Sequence, residues 1–175
     1  MKINSETNIL IVGLGIIGGS YAKGLTKKGL KIRAIDTDKE TIEYALENEI
    51  ICEGSWEADP ELIGRADIVI FALYPHIFKE WIRDNQQFLK SGAILTDVTG
   101  VKGCVVYDIQ NMLREDCEYI AAHPMAGCER LGIQNSNEKI FHAANYIVVP
   151  TEKNTEEAKD VCRQIGKLLR FARIS

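Results

Sequence analysis

The sequence predicts an α/β domain, a mainly parallel, doubly wound sheet with helices on both faces. Three observations predict it. Short apolar runs alternate with helical segments almost from end to end, the pattern of successive βαβ units. The run Ile68-Val69-Ile70-Phe71-Ala72-Leu73 is apolar throughout, as a central parallel strand covered on both faces must be. The first run, Asn8-Ile9-Leu10-Ile11-Val12, stops at closely spaced glycines, which suit a tight strand-to-helix turn.

Each element has a local reason. After the first strand, Ile17, Tyr21 and Leu25 recur at i, i+4 and i+8 on one helical face, and Gly29 stops the helix. Lys31–Ile35 reads as the second strand. Thr37-Asp38-Lys39-Glu40 fits a capping box, with Thr37 accepting from the Glu40 amide, and Ile42, Ala45 and Leu46 form the stripe of the helix that follows. A short third strand is expected at Ile50-Ile51-Cys52. Asp59 then caps a helix with Pro60 at its first position, where the missing N–H costs nothing. Beyond the strand at 68–73, helix His76–Phe88 precedes strand Ala93–Thr96, and helix Val101–Leu113 precedes strand Tyr119–Ala122. A looser stretch, Gly127–Asn137, leads to strand Tyr146–Val149, closed by Pro150. Thr155–Leu169 is an amphipathic helix, and Phe171–Ile174 begins one more strand.

A length of 175 residues corresponds to one domain. With 46% hydrophobic and 26% charged residues the chain is too apolar for intrinsic disorder. A net charge of −4 argues against a nucleic-acid platform or a binder of anionic membranes, since neither cationic surface is present. No apolar run approaches the ~20 residues that span a bilayer, and the N-terminal residues form no signal-like core, so a cytoplasmic protein is expected. Five scattered cysteines (Cys52, Cys104, Cys117, Cys128, Cys162) and three histidines (His76, His123, His142) show no metal-ligand spacing, so no metal is expected.

Gly13-Leu14-Gly15-Ile16-Ile17-Gly18 matches G-x-G-x-x-G. The string alone is weak. Here a strand precedes it, a helix follows it, and a second strand ends in Asp36, eighteen residues past Gly18, which completes the dinucleotide fingerprint of a Rossmann-type domain. Gly13 allows the turn, Gly15 admits a pyrophosphate, and Gly18 permits close helix-strand packing, while the amides near Ile16 and Ile17 face the phosphates. Asp36 accepts from the adenosine ribose hydroxyls. Thr37 and Asp38 follow it rather than an arginine, which favours NAD over NADP. The competing reading is a strand-turn-helix that binds nothing.

Doubly wound sheets bind ligands beyond the carboxyl ends of their strands. Leu73-Tyr74-Pro75-His76, Asp97-Val98-Thr99-Gly100 and His123-Pro124-Met125-Ala126-Gly127 fall there. A dehydrogenase acting on an alcohol carbon needs a proton acceptor as hydride leaves, and histidine as a residue type suits that task. His123 is the candidate, because Pro124 favours an extended backbone that projects it from the strand end. It reads equally as a histidine hydrogen-bonded into a turn. His76 reads as a helix cap or surface residue, His142 as peripheral, and Cys128 as a structural or exposed thiol rather than a nucleophile. The stripe Phe78, Trp81, Ile82 reads as helical core.

The glycine loop with Gly19-Ser20, the stretch Asp97-Val98-Thr99-Gly100-Val101-Lys102-Gly103 and the string His123-Pro124-Met125-Ala126-Gly127-Cys128-Glu129, in that order, resemble the prephenate/arogenate dehydrogenase family of tyrosine biosynthesis. The resemblance covers nearly the whole chain, and the last string is its most specific part. It implies NAD-dependent oxidative decarboxylation of prephenate or arogenate. It assigns His123 to the substrate hydroxyl, places Glu129 near the site, and lets Thr99 stand for a family serine that Gly100 replaces. Leu73, Tyr74 and Pro75 join the cofactor residues, with Thr37 and Thr99. The resemblance further implies that residues 1–175 are the NAD-binding domain, and that a helical domain absent from this chain forms a homodimer and contacts the substrate carboxylates. The competing functions are a 3-hydroxyacid-type dehydrogenase, which relies on a lysine, and a non-catalytic NAD-binding module.

Overall fold

The computed structural model describes residues 1–100, 103–127 and 130–175, with backbone alone at residue 104. In chain order it contains β1 (Ile9–Val12), α1 (Ile16–Lys27), β2 (Ile32–Ile35), α2 (Lys39–Glu47), β3 (Glu53–Ser55), α3 (Pro60–Arg65), β4 (Ile68–Phe71) and α4 (Pro75–Asn85). These are followed by β5 (Ile94–Asp97), α5 (Gly103–Met112), β6 (Glu118–Pro124), β7 (Asn145–Val149), α6 (Glu156–Leu168) and β8 (Arg173–Ile174). The strands form one sheet in the order β3-β2-β1-β4-β5-β6-β7-β8. All neighbours are parallel except β6 and β7, which run antiparallel.

Alternate strand residues feed two separate cores. On one face Ile9, Ile11, Ile32, Ala34, Ile68, Ile70 and Ile120 pack with Tyr21 and Leu25 of α1, Ile42 of α2 and Val161 and Ile165 of α6. On the other Leu10, Val12, Val69, Phe71, Leu95 and Tyr119 pack with Ile63 of α3, Phe78 and Ile82 of α4 and Ile109 of α5. Three helices per face is the doubly wound arrangement expected, and it explains why β1 and β4 are apolar at every position. No helix among the described residues is long and apolar enough to cross a membrane.

Several expectations shift locally. The third strand lies at Glu53–Ser55, not at Ile50–Cys52. The Ile50 amide instead donates to the Ala45 carbonyl, closing α2, and the side chains of Ile50 and Ile51 go into the core. The true edge strand is half-buried and carries no apolar signal. Asp38, not Thr37, caps α2, accepting from the Glu40 amide at 3.1 Å and the Thr41 hydroxyl at 2.9 Å. Asp36 draws the Asp38 amide to 2.8 Å, a short turn that moves the helix start one residue on. Asp59 and Pro60 open α3 as expected. The loose stretch contains a 3-10 turn, Ile133–Asn135, and a second one, Glu138–Phe141, follows it; both pack on α1, where the Asn137 amide donates to the Ser20 hydroxyl at 2.9 Å.

Candidate functional site

The parallel register aligns the carboxyl ends of the central strands. Val12 pairs with Ile35 and Phe71, and Phe71 with Asp97. The Ala72 amide donates to Val12 and the Val98 amide to Phe71, so the turns after β1, β4 and β5 leave the sheet side by side. At ~4.8 Å between strands, the end of β6 lies about 14 Å from the glycine loop, a span an extended dinucleotide can bridge.

Each glycine of the loop meets a different demand. Gly13 has φ +98°, and a Cβ there would sit 2.4 Å from the Ala72 carbonyl oxygen. A Cβ on Gly18 would lie 1.8 Å from the Gly13 carbonyl oxygen, so α1 rests directly on the turn. Gly15 is exposed, and a Cβ there would meet nothing within 4 Å. The protein therefore needs no glycine at 15 for its own packing, whereas a bound phosphate pressed against the loop does. The first-turn amides of α1, at Ile16 and Ile17, have no intrahelical acceptor and lie at the positive end of the helix dipole. Leu14 differs from its expected role. Its amide already donates to Asp36 at 2.7 Å and its side chain is buried, so it shapes the loop rather than facing a phosphate.

Asp36 ends β2 half-buried, with Oδ2 on the Leu14 amide and Oδ1 on the Asp38 amide at 2.8 Å. Each carboxylate oxygen can accept twice, so both retain capacity for a ribose hydroxyl. Beside it opens a cleft of about 320 Å³ lined by Gly13, Asp36, Thr37, Trp56, Leu73 and Trp81, among others. These residues fit the adenosine half of a dinucleotide, with apolar walls for a base and a carboxylate for a sugar. Tyr74 is the exposed N-cap residue of α4, with Pro75 at the first helical position, and of the three expected residues Leu73 is the one that lines the cleft. Trp81 corrects the expectation of pure core. Phe78 and Ile82 are fully buried, but Trp81 packs edge-on against Phe71 and also lines the cleft. Trp56 was invisible to sequence reasoning, since a lone tryptophan in a loop carries no periodic signal.

At the other end, His123 sits in the extended backbone of β6, opposite Ile147. Its Nδ1 is shut off from solvent and has no hydrogen-bond partner among the described residues, which leaves Nε2 as the ring nitrogen open to a ligand. Gly100 lies under the ring, where a Cβ would be 3.1 Å from His123 Cε1. Asp97, buried at the end of β5, ties the two segments together. Its Oδ2 accepts from the Thr99 amide and its Oδ1 from the Ala122 amide, both at 3.2 Å. Thr99 is buried in that turn, and Gly100 borders the imidazole. Glu129, Cys128, Val101 and Lys102 lie outside the described residues. His76 and His142 are exposed, and neither lines the cleft beside Asp36.

Residues 21–170 match the family model described as "Prephenate dehydrogenase, nucleotide-binding domain". The chain belongs to that family. It is 30% identical over 154 residues to the prephenate dehydrogenase of Lactococcus lactis subsp. cremoris, covering 85% of this chain and 42% of the relative. The structure of Aquifex aeolicus prephenate dehydrogenase in complex with hydroxyphenyl propionate and NAD+ superposes with a TM-score of 0.89 at 29% identity, over 99% of this chain and 61% of that one. Synechocystis arogenate dehydrogenase gives 0.86 at 27% identity, over 95% and 59%. The chain thus spans less than half the length of the curated relatives it matches.

Proposed function

We propose that this chain is the cofactor-binding part of an NAD-dependent dehydrogenase that converts prephenate to 4-hydroxyphenylpyruvate, or arogenate to tyrosine, with loss of carbon dioxide. The observation that carries the reading is the alignment of a complete dinucleotide loop with a histidine whose Nδ1 has no partner among the described residues, at the far end of the same sheet edge. Family membership and the Aquifex aeolicus enzyme's NAD+ support it.

When bound, NAD supplies the acceptor for the hydride leaving the hydroxyl-bearing ring carbon. The chain's own residues do the rest. The amides of Ile16 and Ile17 and the open surface at Gly15 receive the pyrophosphate, and Asp36 accepts from the ribose hydroxyls. His123 takes the substrate hydroxyl proton at Nε2, while Asp97 holds the Gly100 turn beneath the imidazole. The electron pair of the breaking carboxylate bond stays in the ring and completes its aromaticity. In this reading Thr99 and Glu129 support the site, the substrate carboxylates are held by a helical domain that also forms a homodimer, and the enzyme works in the cytoplasm.

The test is to combine NAD with prephenate or arogenate and follow NADH, using the chain and any longer natural form containing it. NADH formation with one substrate supports the reading and chooses between them. NAD binding without turnover in every form would favour a binding module instead.

A further inference from the structure

The cleft beside Asp36 carries more negative charge than a single ribose contact requires. Its lining includes the carboxylates of Asp36, Glu57, Glu80 and Asp84, and no lysine or arginine. Glu57 follows β3, while Glu80 and Asp84 stand one turn apart on α4, so two separate elements contribute charge of one sign. All three are exposed, and none has an ion-pair partner among the described residues. The cation that approaches this edge, Lys39, lies 4.9 Å over the Trp56 ring and pairs with Glu43 at 3.8 Å. Asp36 by contrast has both oxygens on backbone amides, which offsets part of its charge.

We propose that Glu57, Glu80 and Asp84 determine cofactor specificity by their field, excluding a 2′-phosphorylated adenosine ribose in addition to the direct contact at Asp36. The inference rests on the dinucleotide reading above. The residues line one cleft of about 320 Å³, so their charges lie within about one screening length, ~8 Å at physiological ionic strength, of a charge held in it. Each lining carboxylate therefore acts on any charge inside. A phosphate brings a charge of about −2 where NAD has a neutral hydroxyl. Screened repulsion at that distance amounts to about two- to threefold in affinity per carboxylate and about tenfold for three. Because these side chains are exposed and belong to elements outside the glycine loop, removing their charge leaves the loop's own amides in place.

The experiment is calorimetric titration of the whole chain with NAD and with NADP, for the wild type and the triple variant Glu57→Gln, Glu80→Gln, Asp84→Asn. A control variant, Glu6→Gln, Glu115→Gln, Glu152→Gln, removes the same net charge elsewhere. The expected result is an NAD-to-NADP affinity ratio about tenfold lower in the triple variant and changed less than twofold in the control. The difference should shrink towards nothing as added salt shortens the screening length. An unchanged ratio with NAD still binding, or an equal change in the control, overturns this inference alone. A wild-type chain that binds neither nucleotide overturns the dinucleotide reading and this inference with it.

Discussion

One methyl group added at Gly15 and one added at Gly18 should separate ligand binding from folding. At Gly15 the new Cβ meets no protein atom within 4 Å. The smaller unfolded-state entropy of alanine favours the variant by ~0.4–1 kcal/mol, and the weaker helix capping of alanine opposes it by a similar amount. Gly15→Ala should therefore melt within about 2 °C of the wild type. The methyl nevertheless occupies the surface where a pyrophosphate must approach. Displacing even one charge-assisted hydrogen bond costs ~1.5–3 kcal/mol, so NAD should bind about 10- to 100-fold more weakly. At Gly18 the added Cβ falls 1.8 Å from the Gly13 carbonyl oxygen and 3.1 Å from the Ala72 Cβ. Neither the Gly13 backbone nor β4 can yield, so α1 must retreat by about 1 Å or more. Overpacking against backbone costs ~3 kcal/mol, or a fall of about 6–12 °C in Tm. Scanning fluorimetry and calorimetric titration read the two quantities separately. Undiminished NAD affinity in Gly15→Ala would refute the phosphate cradle, and wild-type stability in Gly18→Ala would refute the packing argument.

His123→Asn should leave the chain's NAD affinity within about twofold and, in an active form, lower kcat by about 10²- to 10⁴-fold. A loss under tenfold would mean that another group takes the proton. Asp97→Asn turns an amide donor towards a backbone N–H, of Thr99 or of Ala122, and should cost ~1–3 kcal/mol in thermal denaturation. A Tm unchanged within 1 °C would show that those amides do not depend on the carboxylate. The Glu53 carboxyl is held below its ordinary range chiefly by its hydrogen bond from Arg65, and the Asp116 carboxyl by Arg114. A depressed folded value means that the unfolded chain binds more protons, so this stability is present above the ordinary carboxylate range and is lost as pH falls through the folded values. Arg65→Met should lower the neutral region of a Tm-against-pH curve slightly, where the pair contributes, and leave its acid end nearly unchanged, so that the acid limb becomes less steep. An identical acid limb would rule the pair out as a contributor.

The elements legible in the sequence were those whose signal is local and repeated. Continuous apolar runs marked β1 and β4, and Asp59-Pro60 marked the start of α3. The glycine spacing with Asp36 located the loop because each position answers a separate steric demand. Elements that depend on tertiary context were misplaced. The edge strand β3 needs no apolar residues, and the isoleucines just before it serve the core beside α2. The α2 cap moved because Asp36 already held the Asp38 amide in a short local turn, which competes with the capping box at Thr37 and starts the helix one residue later. Tertiary context also hid the cleft. Trp56 follows β3 while Glu80 and Trp81 lie on α4, and only the packing of α4 against the sheet brings them beside Asp36. Asp97 was visible as a residue of a motif, but its grip on the turn at Gly100 depends on the register of β5 with β6.

The two backbone amides on Asp36 bear on how this protein could change its cofactor. The residue proposed to meet the ribose is also the rivet joining the glycine turn to the start of α2. Exchanging it for a small neutral residue to admit a phosphate would release the Leu14 and Asp38 amides together. An evolutionary or engineered path to the phosphorylated cofactor would then pass through a loosened loop before reaching a new preference. Such a path must first supply another acceptor for those amides, which makes the present choice of cofactor hard to reverse one substitution at a time.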